Sequence, residues 1–179
     1  MRHFLATVAL GALMIGATPL TSLAETPDNQ LVVATTMSNI LTLDPAAITG
    51  RETVQVLNNI YDTLVQLSPT DRSIQPRLAE KWEVASDRMS IRFHLRKDAK
   101  FASGNPVTAE DVVWSLKRLL TRNLAQSSLL KTRGFSADKA DTLFVAEDVN
   151  TFVLNLPQAD DPSLVLMVLA QNGPGSILD

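Results

Sequence analysis

Cysteine is absent from the 179 residues of this chain. Disulfides, thiolate metal sites and thiol nucleophiles are thereby excluded, and packing must hold the fold together. A bacterial lipid anchor is excluded too, because it needs a cysteine at the cleavage point of the export signal. Aromatic residues are sparse, with two tryptophans and one tyrosine, and the basic residues form no block. A nucleic-acid surface would show a basic patch or aromatic-basic interleaving, so no nucleic-acid partner is expected. Histidine is almost missing: beyond the first few residues only His94 remains. Asp98 and Ser103 are near it in sequence, but across an irregular segment. His94 is therefore read as a solvated strand residue, and no metal or cofactor is expected.

The remaining acidic and glycine clusters have structural explanations. Glu110-Asp111 falls in a helix first turn, where the macrodipole favours acids, and Asp160-Asp161 stands before Pro162 in the same way. Gly173-Pro174-Gly175 carries a proline where a phosphate loop needs backbone donors. Trp82 and Trp114, in strand and helix contexts, are read as core residues.

What is present begins with an export signal. Arg2 supplies a positive start, and Phe4 to Ala17 carries no charge. Pro19 ends the apolar run, and Ser22-Leu23-Ala24 offers the small residues a signal peptidase reads. The run is too short for a spanning helix of about 20 apolar residues. Residues 1–24 are thus expected to be removed, with Glu25 as the new N-terminus and the periplasm as destination. Loss of Arg2 takes the formal charge one unit beyond −3. Residues 25–179 are enough for one core, and length alone predicts one domain.

Local patterns then predict the elements. Leu31 to Ala34 reads as a strand buried on both faces. Thr49 and Glu52 form a capping box, opening a helix whose Val54, Leu57, Ile60 and Tyr61 share one side. Leu64 to Leu67 is extended, with a turn at Ser68-Pro69-Thr70-Asp71. Ile91, Phe93 and Leu95 alternate with polar residues, and Trp82 and Val84 precede them across Ser86-Asp87-Arg88, so a hairpin is predicted. Thr108 caps a helix over Ala109–Thr121, with Asp111 at its third position and Val107 and Val112 as a hydrophobic staple. Phe144–Ala146 and Phe152-Leu154-Leu156 form a second hairpin, and Pro162 opens a helix ended by Gly173-Pro174-Gly175. Strands and helices mix around a hairpin-helix unit, so the class is α/β with antiparallel additions.

Three blocks carry a resemblance: Pro76-Arg77-Leu78-Ala79-Glu80-Lys81-Trp82-Glu83-Val84, Ile91 through Phe101, and Gly104-Asn105-Pro106-Val107-Thr108-Ala109-Glu110-Asp111-Val112-Val113-Trp114-Ser115. With Leu43-Asp44-Pro45, Tyr61-Asp62-Thr63-Leu64-Val65 and Thr151 through Leu156, the chain resembles family 5 of the extracellular solute-binding proteins. These are the peptide, oligopeptide and nickel-binding receptors of ABC importers. The resemblance implies a type II periplasmic-binding-protein fold, a monomer without catalysis or cofactor, and delivery of a solute to an inner-membrane permease complex. Peptides are the implied solute, with nickel complexes, opines and sugars open.

Relatives continue, soon after the position of Asp179, into a Gly-Thr-Gly-Pro-aromatic stretch absent here. Residues 25–179 are therefore expected to be a truncated N-terminal portion, part of the first lobe only, binding weakly alone. The resemblance places the loop after the first strand near the cleft, making Met37, Ser38 and Asn39 the candidate ligand contacts. Two other readings stay open: an inactive remnant, and a secreted hydrolase using His94.

Overall fold

The alternation along residues 90–95 organises the structure, a computed structural model that describes residues 27–32, 34 and 36–179. Strand β4 (Ser90–Leu95) buries Ile91, Phe93 and Leu95, while Arg92 is exposed and Ser90 and His94 are half-buried. A strand places neighbours on opposite faces, so one face of β4 belongs to the core and the other does not. It pairs with β3 (Ala79–Val84) and β6 (Thr151–Asn155), and β5 (Phe144–Asp148) pairs with β6, giving the order β3-β4-β6-β5 with every pairing antiparallel. Phe93 stands opposite Trp82 on one side and Phe152 on the other, its ring 5.8 Å from that of Phe152. Both outer strands slip register, β3 between Ala79 and Lys81 and β5 between Ala146 and Asp148. A separate hairpin pairs β1 (Val65–Leu67) with β2 (Ile74–Pro76). Both sheet hairpins and the β1–β2 turn lie where the sequence places them.

Helix α2 (Ala109–Thr121) covers the buried face of the sheet. Thr108 Oγ1 accepts from Asp111 N–H, and Asp111 Oδ2 accepts from Thr108 N–H at 2.7 Å, the reciprocal box that the sequence predicts. Val112, Val113, Leu116, Leu119 and Leu120 are buried, each such side chain stabilising by about 1.5–3 kcal/mol. Trp114 departs from the expectation: it is 52% exposed, on the flank of that stripe, with the Arg118 guanidinium 5.9 Å over its ring.

Helix α1 (Arg51–Leu57) also departs. Gly50 is its N-cap, without a side-chain cap bond, and Thr49 is exposed. With Gly50 at the cap, the third helical residue is Thr53 rather than an acid, so no box closes. The helix stops at Leu57, leaving Ile60 and Tyr61 beyond it, with Ile60 exposed.

Between Asn123 and Leu143, where no periodicity is visible, single turns follow one another. A 3-10 turn at Ala125–Ser127 leads into α3 (Ser128–Lys131), and another at Ala137–Lys139 into α4 (Ala140–Leu143). Helix α5 (Pro162–Leu169) begins at its predicted proline, with Asp161 accepting from Ser163 N–H at 2.9 Å. Leu31, Val32 and Ala34 belong to no strand, and Leu31 is 89% exposed. A strand buried on both faces needs a hydrogen-bonded neighbour, and no described strand pairs with this run. The predicted signal segment lies outside the described residues.

Candidate functional site

The second hydrogen-bonding pattern of note joins segments that are distant in sequence. Gln126, in the 3-10 turn before α3, donates through Nε2 to the Ile48 carbonyl at 2.6 Å. Asn172, after α5, donates through Nδ2 to Oδ1 of Asn58 at the end of α1. These bonds frame an open hollow of about 710 Å³ whose wall runs from Ile48-Thr49-Gly50-Arg51 to Gln171-Asn172, with the β1–β2 hairpin contributing Gln66 and Arg72. A solute site is a concavity with a few convergent polar groups, and this hollow fits that description. A smaller cavity of about 250 Å³ near Tyr61, Phe101 and Ile177 is closed on one side by Asp179, which accepts from Ser103 and Asn105.

The amides of the wall are held and half-used. Gln66 donates to the Pro76 carbonyl at 3.3 Å and Gln171 to the Met167 carbonyl at 3.1 Å. A primary amide has two donors and an acceptor oxygen. Among the described residues the side-chain oxygens of Gln66, Gln126 and Gln171 accept no hydrogen bond, so acceptors for ligand N–H groups remain. Gly173, buried at φ +131°, stands behind Gln126: a Cβ there would be 3.2 Å from the Gln126 side chain. Three arginines contribute, of which Arg77 is paired with Asp62.

The loop implied by the resemblance contributes no residue to this wall. Met37, Ser38 and Asn39 form an exposed turn closed by Ile40 N–H to the Met37 carbonyl at 3.1 Å. The Asn39 carbonyl oxygen is 3.4 Å from where a Gly50 Cβ would stand. The turn thus borders Gly50, but the wall itself comes from Thr49, Gly50, Arg51, Asn58, Gln126 and Asn172, none of which the sequence reading selects.

His94 is half-buried, with Nε2 shielded from solvent and 3.4 Å from Glu83 Oε1, unaligned for a hydrogen bond. It is less solvated than expected. Its sequence neighbours do not assemble around it: Asp98 pairs with Arg96, and Ser103 bonds Asp179. Among the described residues no three histidine or carboxylate side chains gather as metal ligands.

Residues 73–176 match the profile of the bacterial extracellular solute-binding proteins, family 5 Middle, and this chain belongs to that family. The periplasmic oligopeptide-binding protein OppA of Escherichia coli is 35% identical over 130 residues, 69% of this chain and 23% of that protein. Heme-binding protein A of Haemophilus influenzae is 35% identical over 107 residues, 56% of this chain and 20% of that one. Among solved structures, the substrate-binding domain of an oligopeptide ABC transporter from Bacillus anthracis superposes with a TM-score of 0.67. Its identity is 27%, over 79% of this chain and 28% of that structure. This chain therefore spans about a quarter of the length of the relatives it matches. The family's members are binding proteins rather than enzymes.

Proposed function

We propose that this chain belongs to the periplasmic substrate-binding component of an ABC importer, with peptides as the captured solute and an inner-membrane permease as the receiver. The observation that carries this reading is the amide-lined hollow on a family 5 scaffold. Peptides present N–H and C=O groups at regular spacing, and the free amide oxygens of Gln66, Gln126 and Gln171 complement the donors. The names of OppA and of the Bacillus anthracis domain support peptide as solute, while the haem-binding relative shows that the scaffold serves other small molecules. We further read residues 1–24 as a cleaved signal, and residues 25–179 as a monomeric, unlipidated N-terminal portion of the binding domain. The Met37–Asn39 turn is proposed as the rim that a bound solute touches.

The test is an amide-shift titration of the purified chain with a mixed tripeptide set. Saturable shifts are expected at Thr49, Gly50, Asn58 and Gln126. Shifts confined to other parts of the surface, or none at millimolar peptide, would remove the hollow as the solute site. A solute enclosed on all sides buries 70–90% of its surface, so binding to an open wall is expected to be weak.

A further inference from the structure

We infer that the solute taken by this hollow carries an acidic group beyond a peptide's own C-terminus, selected by Arg51 and Arg72; this rests on the hollow being the solute site. Three arginines and no aspartate or glutamate line it. Arg77 is neutralised by Asp62, whereas Arg51 and Arg72 have no ion-pair partner among the described residues. The acids nearest to them in sequence are placed elsewhere. Asp71 is committed to its own turn, where its Oδ1 accepts from Ser73 N–H at 3.1 Å and from Ser73 Oγ at 2.8 Å. Glu52 lies in the first turn of α1 against Gly50 and is not part of the wall.

The backbone of Arg72 is held in place, while its side chain is exposed. Its N–H bonds the Ser68 carbonyl at 3.0 Å, and its φ of +64° is a conformation few non-glycine residues hold. Ser68 Oγ accepts from the N–H groups of Thr70 and Asp71 on the same turn. The held turn therefore sets Arg72 beside the hollow, and the start of α1 sets Arg51 there; both exposed arginines line it. A guanidinium presents a planar fork that matches a carboxylate with two parallel hydrogen bonds. With Arg51 and Arg72 without an ion pair among the described residues, the wall offers positive charge that a neutral solute leaves unmatched and an acidic one satisfies.

The chemistry can arrive on an acidic peptide or on a free dicarboxylate, and one experiment separates the two. The chain is titrated with a tripeptide carrying a central glutamate, with its glutamine counterpart, and with succinate, in wild type and in the Arg51→Gln, Arg72→Gln double variant. The expected result is an affinity for the glutamate peptide about tenfold above that for the glutamine peptide, falling towards unity in the variant and in high salt. Arg92→Gln, on the outer face of the sheet, should keep the wild-type ratio. Succinate shifting the same amides would assign selection to the carboxylate alone, and succinate silent with the glutamate peptide bound would assign it to a peptide-borne acid. Equal affinities for both peptides, with shifts in the hollow, would overturn the charge selection and leave the solute site standing. No shifts with any probe would remove both.

Discussion

Arg118 grips Asp44 with both arms of its guanidinium, Nη1 donating to Oδ1 at 3.0 Å and Nη2 to Oδ2, across 74 positions of sequence. The same carboxylate caps the 3-10 turn at Pro45–Ala47 by accepting from Ala46 N–H at 3.1 Å. One acid thus ties the segment ahead of α1 to the helix that covers the sheet. The Arg118 bonds hold the Asp44 carboxyl below its ordinary 3.8, outweighing the partial burial that would raise it. Both side chains are less than a third exposed, so removing one partner leaves the other poorly solvated. Asp44→Asn is expected to cost about 1–3 kcal/mol at neutral pH, read as a lower urea midpoint.

The pH dependence of this contact has a definite sign. Asp44 titrates lower in the folded chain than in the unfolded one, so in that interval the unfolded state binds more protons. Its contribution is complete above 3.8 and fades as pH falls through the depressed native value. The stability gap between wild type and Asp44→Asn should therefore be constant from pH 7 to 5 and shrink below pH 4. A gap that widens on acidification would mean that the pair does not stabilise the fold.

Thr108→Ala deletes the acceptor for Asp111 N–H, and Asp111→Ala deletes the acceptor for Thr108 N–H. Each is expected to lower stability by about 0.5–2 kcal/mol. Because the two bonds close one ring, the double variant should lose less than the sum, a coupling that a double-mutant cycle in urea measures.

Phe93 and His94 are neighbours on opposite faces of β4. Phe93→Ala removes a fully buried ring stacked near Phe152 and should cost about 3–5 kcal/mol. His94→Ala loses one half-buried ring beside Glu83, without a hydrogen bond, and should cost under about 1 kcal/mol. The opposite ranking in thermal unfolding would put the register of β4 one residue out.

Gly175 and Gly173 separate stability from binding. A Cβ at Gly175 would stand 2.0 Å from the Leu169 carbonyl oxygen, so Gly175→Ala must displace backbone and should cost about 1–3 kcal/mol or more. A Cβ at Gly173 would have the Gln126 side chain as its nearest neighbour, at a positive φ that also disfavours alanine. Gly173→Ala should therefore shift the Gln126 and Ile48 amide resonances and, at the proposed solute site, weaken binding more than it lowers the unfolding midpoint.

Export from a Gram-negative host tests the first residues. Intact mass of the periplasmic product is expected to begin at Glu25. A membrane-bound product that keeps residues 1–24 would show an anchor instead.

Local chemistry explains which elements could be read in advance. Thr108 and Asp111 have complementary groups at fixed spacing, and the bounds of α2 follow from them directly. The alternations at Ile91-Phe93-Leu95 and Phe152-Leu154-Leu156 are long enough to show period two. Thr49 and Glu52 satisfy the same capping pattern, but the backbone runs extended through Ile48 and Gly50, and helix geometry begins only at Arg51. Helices of four residues, such as α3 and α4, complete barely one turn, too short for a face to repeat. The hollow was the least legible part. Its bonds span 78 positions from Ile48 to Gln126 and 114 from Asn58 to Asn172, and no local spacing encodes such partners. Scattered amides at helix ends were the only signal available.

The slipped registers of the two outer strands have a consequence for behaviour in a crowded compartment. A flat unpaired strand is a template on which another chain can crystallise its own backbone. Here β3 offers Glu80, Lys81 and Glu83 to solvent, and β5 offers Glu147 and Asp148, each strand kinked where its pairing slips. Bulges and charges of this kind repel a docking strand, so the four-stranded sheet is guarded at both margins against growing into a fibre. Smoothing either margin, by replacing those charges with threonine or valine, would be expected to raise light scattering on concentration above that of the wild type.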